Sequence, residues 1–300
     1  MLNDMLKAEE ITESENIVSF IVDDLLTLIL EKQMQGDSSL VAESAIFNQK
    51  QFNVYSHISI QCQQPVEQIF FENNVAVTER NLIEICTNTV FQGNNEKWHS
   101  ERAIRISASR AHSIKSRPNK FDQLSSTFLE PKSIKGRALT NFEYGNKNEE
   151  NARQLFEKLS GLKVLRCGLV IHLTQPWLCA SPDGIIWDGN IAKVLEIKCP
   201  ISLRYSPLLQ DDGEIKVPYL KRDGNGRIHL KETHQYYTQC QILLYCTGLN
   251  ICTFLIYSEK YDSLIIEIPR DEEFLQSVVP KLEWFYFTYL LNRLISKFGI

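Results

Sequence analysis

The 300-residue sequence predicts an α/β domain built on one central mixed β-sheet flanked by helices, with an extra, mostly helical region ahead of it. Three observations predict this. Apolar runs of strand length crowd together between residues 162 and 199, helical patterns stand before, between and after them, and the charge changes sign near residue 95. Residues 1–97 hold 5 Lys+Arg against 15 Asp+Glu, whereas residues 98–300 hold 27 against 22. The expected division is an acidic N-terminal region, 1–95, and a second domain, 96–300.

In chain order, the pattern predicts a helix at about 13–34, an alternating strand NVYSHISIQ (Asn53–Gln61) and a helix from Thr78 to Phe91. After the polar link QGNNEK come a helix from Trp98 to Arg105 and a second, ASRAHSIK, with Ser107 as its capping residue. A longer helix, Arg137–Leu159, ends at Ser160-Gly161. Strand runs LKVLRCGLVIHL, WLCAS, GIIWD and AKVLEIKC follow, with a turn at Asp188-Gly189-Asn190 between the last two. A Gly- and Asp-rich excursion, Ser206–Gly226, leads to a helix at about Glu232–Cys246. Strands NICTFLIYS and SLIIEIP and a helix from Asp271 to about Ser296 close the chain.

Composition excludes several functions. The most apolar run, Ile17–Leu30, is too short to span a bilayer, contains Asp23 and Asp24, and lacks a signal peptide's basic flank, so no membrane partner is expected. Eight cysteines without a CxxC pair indicate reduced thiols inside a cell. Six scattered histidines form no zinc motif, and neither zinc nor a nucleotide cofactor is expected. The densest basic stretch, Glu101–Arg137, holds nine Lys+Arg against three acids, which suits a solvated face or a phosphate-binding one.

The stretch ASPDGIIWDGNIAKVLEIKCP (Ala180–Pro200) carries the chemistry. Side chains alternate along a strand, so Glu196 and Lys198 share one face, and a hairpin from the preceding strand lays Asp183 beside them. Two close carboxylates repel, and one takes a proton unless a cation sits between them. Oxygen ligands with open positions suit Mg²⁺ or Mn²⁺, with the backbone carbonyl of Ile197 as a further ligand. Such a metal activates water and screens the charge that builds on a phosphodiester. Lys198 would position that water or neutralise the transition state.

SPDG followed by LEIKCP resembles the signature of the PD-(D/E)xK nucleases and, more narrowly, of the lambda-type exonuclease or YqaJ-like viral recombinase family. Three further blocks agree in order. WHSERAIRISAS (Trp98–Ser109) is similar to the family segment that holds a 5′-phosphate, which implies that role for Arg102 and Ser109. YGNKNEENARQLFE (Tyr144–Glu157) resembles the helix that supplies an acid near the metals, here Glu149, with Glu150 as its alternative. HQYYTQCQILLYCTG (His234–Gly248) resembles the helix with supporting residues, here Tyr236, Gln239 and Gln241.

The resemblance covers Trp98 to the C-terminus. It implies a restriction-endonuclease-like core and a metal-dependent deoxyribonuclease that digests double-stranded DNA from 5′ ends, often with a single-strand annealing protein in recombination. The basic segment would then line the DNA path through phosphate contacts. The alternatives are a DNA-binding module that has lost catalysis, or an endonuclease on the same scaffold. Residues 1–95 match nothing in the family core, and the Ser206–Gly226 arm is longer than in phage enzymes. That arm resembles eukaryotic members, which implies a nuclear location; an oligomer is compatible, but the trimeric ring of some relatives is not transferred.

Overall fold

The computed structural model describes residues 53–56, 62, 64–130, 135–187, 191–211 and 213–298. The helix expected at 13–34 and the turn at Asp188–Asn190 lie outside them. The chain begins with α1 (Pro65–Phe70), continued by a π-helical turn to Val75, and α2 (Glu79–Asn88), whose N-terminus is closed by the Thr78 hydroxyl accepting from the Asn81 amide (3.2 Å). Then come α3 (Glu96–Ala103), β1 (Ile106–Ser107), α4 (Ala108–Lys115), α5 (Phe121–Leu129) and the long α6 (Arg137–Ser160). Gly161 ends α6 in the left-handed conformation, φ +73°, as its sequence position predicts.

Strands β2 (Val164–Leu165), β3 (Val170–Ile171), β4 (Leu178–Ala180), β5 (Gly184–Trp187) and β6 (Ala192–Lys198) follow. The excursion closes as a hairpin of β7 (Leu220–Arg222) and β8 (Ile228–Leu230). Finally come α7 (Gln235–Thr247), β9 (Ile251–Ile256), β10 (Leu264–Pro269), α8 (Glu272–Phe285) and, after a π-helical turn, α9 (Leu291–Phe298).

The main sheet has the order β10-β9-β6-β5-β2. Only β6 and β9 run parallel, joined by the crossover through α7; the other pairs are antiparallel. A smaller sheet, β1-β4-β3, lies in the same core. Alternation along β6 sorts its residues as period two requires. Val194 joins the large cluster containing Phe254, Ile256 and Leu243 of β9 and α7. Leu195 and Ile197 pack with Ala152 and Phe156 of α6 on the opposite face. Both faces of the central strand are therefore covered, and a polar side chain there needs a partner or a function.

Several sequence expectations change in the fold. LKVLRCGLVIHL is not one strand: it divides into β2 and β3, which belong to different sheets. At the break, Gly168 lies so close to α2 that a Cβ would fall 2.0 Å from the Cys86 carbonyl oxygen. Residues 53–56 form no strand; the Tyr55 hydroxyl instead donates to Glu272 (2.5 Å), while 57–61 lie outside the described residues. Ser107 occupies the N-cap of α4, yet its hydroxyl makes no capping bond and meets the Ser109 hydroxyl instead (3.2 Å).

The described part of the N-terminal region builds no separate core, since Phe70, Val75 and Cys86 belong to the large cluster. Among the described residues no helix is long and apolar enough to cross a membrane.

Candidate active site

The turn Ser181-Pro182-Asp183 leads from β4 into β5, beside β6. The Asp183 amide donates to the Leu195 carbonyl (3.1 Å), which sets the two strands in register at this end. Proline supplies no N–H, so the turn gains a fixed bend without a spare donor. The Asp183 carboxylate then accepts the Ile197 amide at 2.6 Å, which seats it across the C-terminal end of β6.

Two positions along the same face, the Lys198 ammonium pairs with Glu196 Oε1. Gln239, from α7, donates its amide to that same Glu196 oxygen (2.6 Å) and presents its own oxygen to Lys198 (3.5 Å). The Lys198 ammonium also lies 4.7 Å from the centre of the Tyr236 ring. Glu196 Oε1 is thus crowded with donors. Glu196 Oε2 is buried with no hydrogen-bond partner among the described residues.

That imbalance shows in the proton affinities. Burial pushes the Asp183 carboxyl well above the usual carboxylate range, and the neighbouring Glu196 and Glu149 push it further. Burial raises the Glu196 carboxyl as well, against the pull of Lys198. Desolvation by itself would lower the Lys198 ammonium, but Glu196 and Asp183 outweigh it and hold it above the ordinary lysine value. The Cys199 thiol is pushed up to about 12 by burial and by Asp183.

Glu149 stands on α6, half-exposed, with its Oε1 accepting from Arg153 (2.9 Å); Arg153 also donates to the Asp183 carbonyl (3.1 Å). Its neighbour Glu150 is drawn away to Arg153 and to Arg166 (2.6 Å). On the opposite wall, Arg102 donates to the hydroxyls of Ser181 (3.0 Å) and Ser109 (3.2 Å), and its guanidinium stacks 4.0 Å from the centre of the Trp98 ring. Burial lowers its pKa from the usual arginine value.

These groups line one cavity of about 770 Å³. Asp183, Glu196, Ile197, Lys198, Glu149, Arg102, Ser109, Tyr236 and Gln239, all singled out in the sequence, border it. Ile197 contacts Asp183 through its amide N–H. Gln241 is the exception. It is fully buried on another face of α7, where its amide donates to the Pro269 carbonyl (2.9 Å) and its oxygen accepts from the Asp271 amide (2.8 Å). It ties α7 to the start of α8, because two residues along a helix is more than half a turn from Gln239.

Sequence reasoning missed Trp98, Ser181, Gln92 and Tyr219. Trp98 is i−4 from Arg102, a spacing that puts both on one helix face, and the Trp98 indole N–H donates to Ser181 (2.9 Å). Tyr219 comes from the Ser206–Gly226 arm and packs edge-on against Tyr236, with ring centres 5.0 Å apart. No local signal marks it, since the arm reaches the cavity only after its hairpin closes.

The donor set can be tested for a metal. Among the described residues no three His, Cys, Asp or Glu side chains are grouped as a ready cage. Two carboxylates with raised proton affinity, Asp183 partly buried and Glu196 buried with an unpartnered oxygen, nonetheless fit a hard divalent ion that completes its shell with water and substrate oxygens.

The sheet, the α7 crossover and the acid-acid-lysine corner define a PD-(D/E)xK nuclease fold. The fold is shared with LHK-Exo, an alkaline exonuclease from Laribacter hongkongensis solved in complex with dAMP (21% identity, TM-score 0.50, covering 68% of this chain and 97% of that one). Residues 97–250, just over half of the chain, match the model of the YqaJ-like viral recombinase domain, and the chain belongs to that family. A SOX–DNA complex, SOX being the shutoff and exonuclease protein of Kaposi's sarcoma-associated herpesvirus, aligns at 12% identity over 92% of each chain with a TM-score of 0.46. An uncharacterized protein of Acanthamoeba polyphaga mimivirus is 30% identical over 129 residues, 40% of this chain; the match spans about a fifth (21%) of that relative's length.

Proposed function

We propose that the chain is a Mg²⁺- or Mn²⁺-dependent deoxyribonuclease that hydrolyses phosphodiester bonds of duplex DNA from 5′ ends, in DNA recombination or in processing viral or mobile-element DNA. One observation carries the reading: Asp183, Glu196 and Lys198 meet in one cavity with Glu196 Oε2 unpartnered. Membership of the family supports the substrate class.

Hydrolysis of a phosphodiester adds water across a P–O bond. The attacking oxygen sheds a proton, the leaving oxygen gains one, and negative charge builds on the phosphoryl group between them. Asp183 and Glu196 would hold the divalent ion, which when bound acidifies water and screens that charge. Lys198 is a poor base, because Glu196 and Asp183 keep it protonated. Its ammonium orients the attacking water and balances phosphoryl charge. Gln239 and the Tyr236 ring hold the ammonium at that point.

Glu149 adds an acid at the rim, held by Arg153. Arg102, backed by Trp98 and joined to Ser109 and Ser181, offers a fork for a terminal 5′-phosphate. The basic segment around it binds backbone phosphates without reading sequence. Residues 1–95 would form an accessory region, and an annealing protein the working partner. A nuclear site of action goes with this reading.

The experiment compares linear, circular and 5′-hydroxyl duplexes, and single-stranded RNA, with Mg²⁺ and with EDTA. Mg²⁺-dependent loss of linear 5′-phosphorylated duplex, with circles intact, is expected. Cut circles would make the protein an endonuclease. Duplex binding without product would make it a binding module, and preferential loss of RNA would replace the substrate.

A further inference from the structure

The link between α2 and α3 lies ahead of the family match, in the region that sequence reasoning left without a task. It contains Gln92, whose φ of +43° is left-handed although glycine stands next door at 93. A non-glycine residue in that conformation is uncommon, and such outliers persist where the surroundings hold them for a reason.

The surroundings here are specific. The Gln92 amide Nε2 donates to two carbonyls, Pro182 (2.7 Å) and Cys167 (3.0 Å). Pro182 immediately precedes Asp183, and Gln92 itself lines the cavity. The base from which Gln92 reaches is fastened to the same loop: the Leu169 amide donates to the Thr89 hydroxyl (2.8 Å), and Gly168 packs directly on the Cys86 carbonyl.

Besides the Leu195 carbonyl that takes its amide, Asp183 is gripped from three sides. The Arg153 guanidinium holds its carbonyl, the Ile197 amide holds its carboxylate, and Gln92 holds the peptide before it. We infer that Gln92 is a positioning residue, whose amide fixes the Pro182 carbonyl and so aims the Asp183 carboxylate at the place where a divalent cation binds. The inference rests on the metal-dependent reading of the site given above.

The test titrates the full chain with Mn²⁺ alone in a calorimeter and follows thermal unfolding of the metal-free protein. Gln92→Gly suits a left-handed backbone, so the fold survives while the whole side chain, its amide included, is lost. Gln92→Glu keeps the length but replaces the donor with an acceptor that repels both carbonyls. Both variants are expected to bind Mn²⁺ roughly ten- to a hundredfold more weakly, as for other groups that orient a ligand from behind. The thermal midpoint of Gln92→Gly stays at that of the unaltered chain. Gln92→Asn, which keeps an amide and tolerates the left-handed backbone, recovers part of the affinity.

Mn²⁺ affinity unchanged in Gln92→Gly would overturn the inference, and so would losses of affinity that only track losses of thermal stability across all three variants. An unaltered chain that binds Mn²⁺ but digests no DNA would sink the nuclease reading while leaving the titration to decide on Gln92. No Mn²⁺ binding by the unaltered chain would sink both.

Discussion

The molecule buries carboxylates in two places and treats them in opposite ways. At the junction of α8 with the N-terminal segment, Glu283 is 5% exposed; its two oxygens share the single Ser56 hydroxyl proton (2.9 and 2.8 Å), and Oε1 also accepts from the Gln175 amide (3.4 Å). At the end of β6, Glu196 is 1% exposed with one oxygen crowded and the other unpartnered, and Asp183 stands beside it. A structural acid has a donor for each oxygen. The acid pair on the sheet remains incomplete, which is costly unless something else completes it.

The largest break in this comparison is expected on the sheet. Asp183→Asn, or Lys198→Ala, should lower Mg²⁺-dependent digestion of linear duplex by roughly a thousandfold or more, the scale on which electrostatic catalysis is lost. Asp183→Asn should also leave the metal-free protein at least as resistant to heat, because it removes a partly buried carboxyl crowded by Glu196 while an amide oxygen can still accept from the Ile197 amide. Glu283→Ala should do the reverse. It should cost about 1.5–3 kcal/mol in unfolding experiments, the worth of a hydrogen bond to a charged group, and leave turnover of the folded fraction intact.

Next in size is the effect of Arg102→Ala, expected to raise KM about tenfold for 5′-phosphorylated duplex and little for 5′-hydroxyl duplex. An equal rise for both ends would assign Arg102 to general backbone binding.

The smallest effect sharpens the contrast by pH. Asp183 and Glu196 hold protons more tightly in the fold than ordinary carboxyls do. Their contribution to metal-free stability is therefore full at acid pH and is lost as pH rises through their raised values. A bound cation competes with those protons. Saturating Mn²⁺ should thus raise the thermal midpoint more at about pH 8 than at about pH 5, by a few degrees, corresponding to about 2.7 kcal/mol at a hundredfold excess over Kd. Glu283→Ala should keep this metal response and Asp183→Asn should lose it.

Much of the acid pair's surroundings was legible in the sequence because it is local. The two-residue alternation of β6 put Glu196 and Lys198 on one face, and the tight β5–β6 pairing brought Asp183 to them. Glu149 and Arg102 were readable from ordered motifs on helices. The residues that hold those groups were not legible. Gln92 reaches Pro182 across 90 positions, and Tyr219 reaches Tyr236 only after the β7–β8 hairpin closes. Gln241 came with the motif, although its two-residue step from Gln239 already faces it elsewhere, and the fold turns it toward α8. The division of LKVLRCGLVIHL between two sheets was hidden for a similar reason, since its break at Gly168 is dictated by the distant Cys86 backbone.

Diffraction from crystals soaked in Mn²⁺, recorded where manganese scatters anomalously, tests the account at its centre. The predicted result is a peak within about 2.0–2.6 Å of oxygens of both Asp183 and Glu196, the usual range for a hard divalent ion. A cavity without a peak, or a peak held by other residues while Asp183 and Glu196 keep their metal-free contacts, would contradict it.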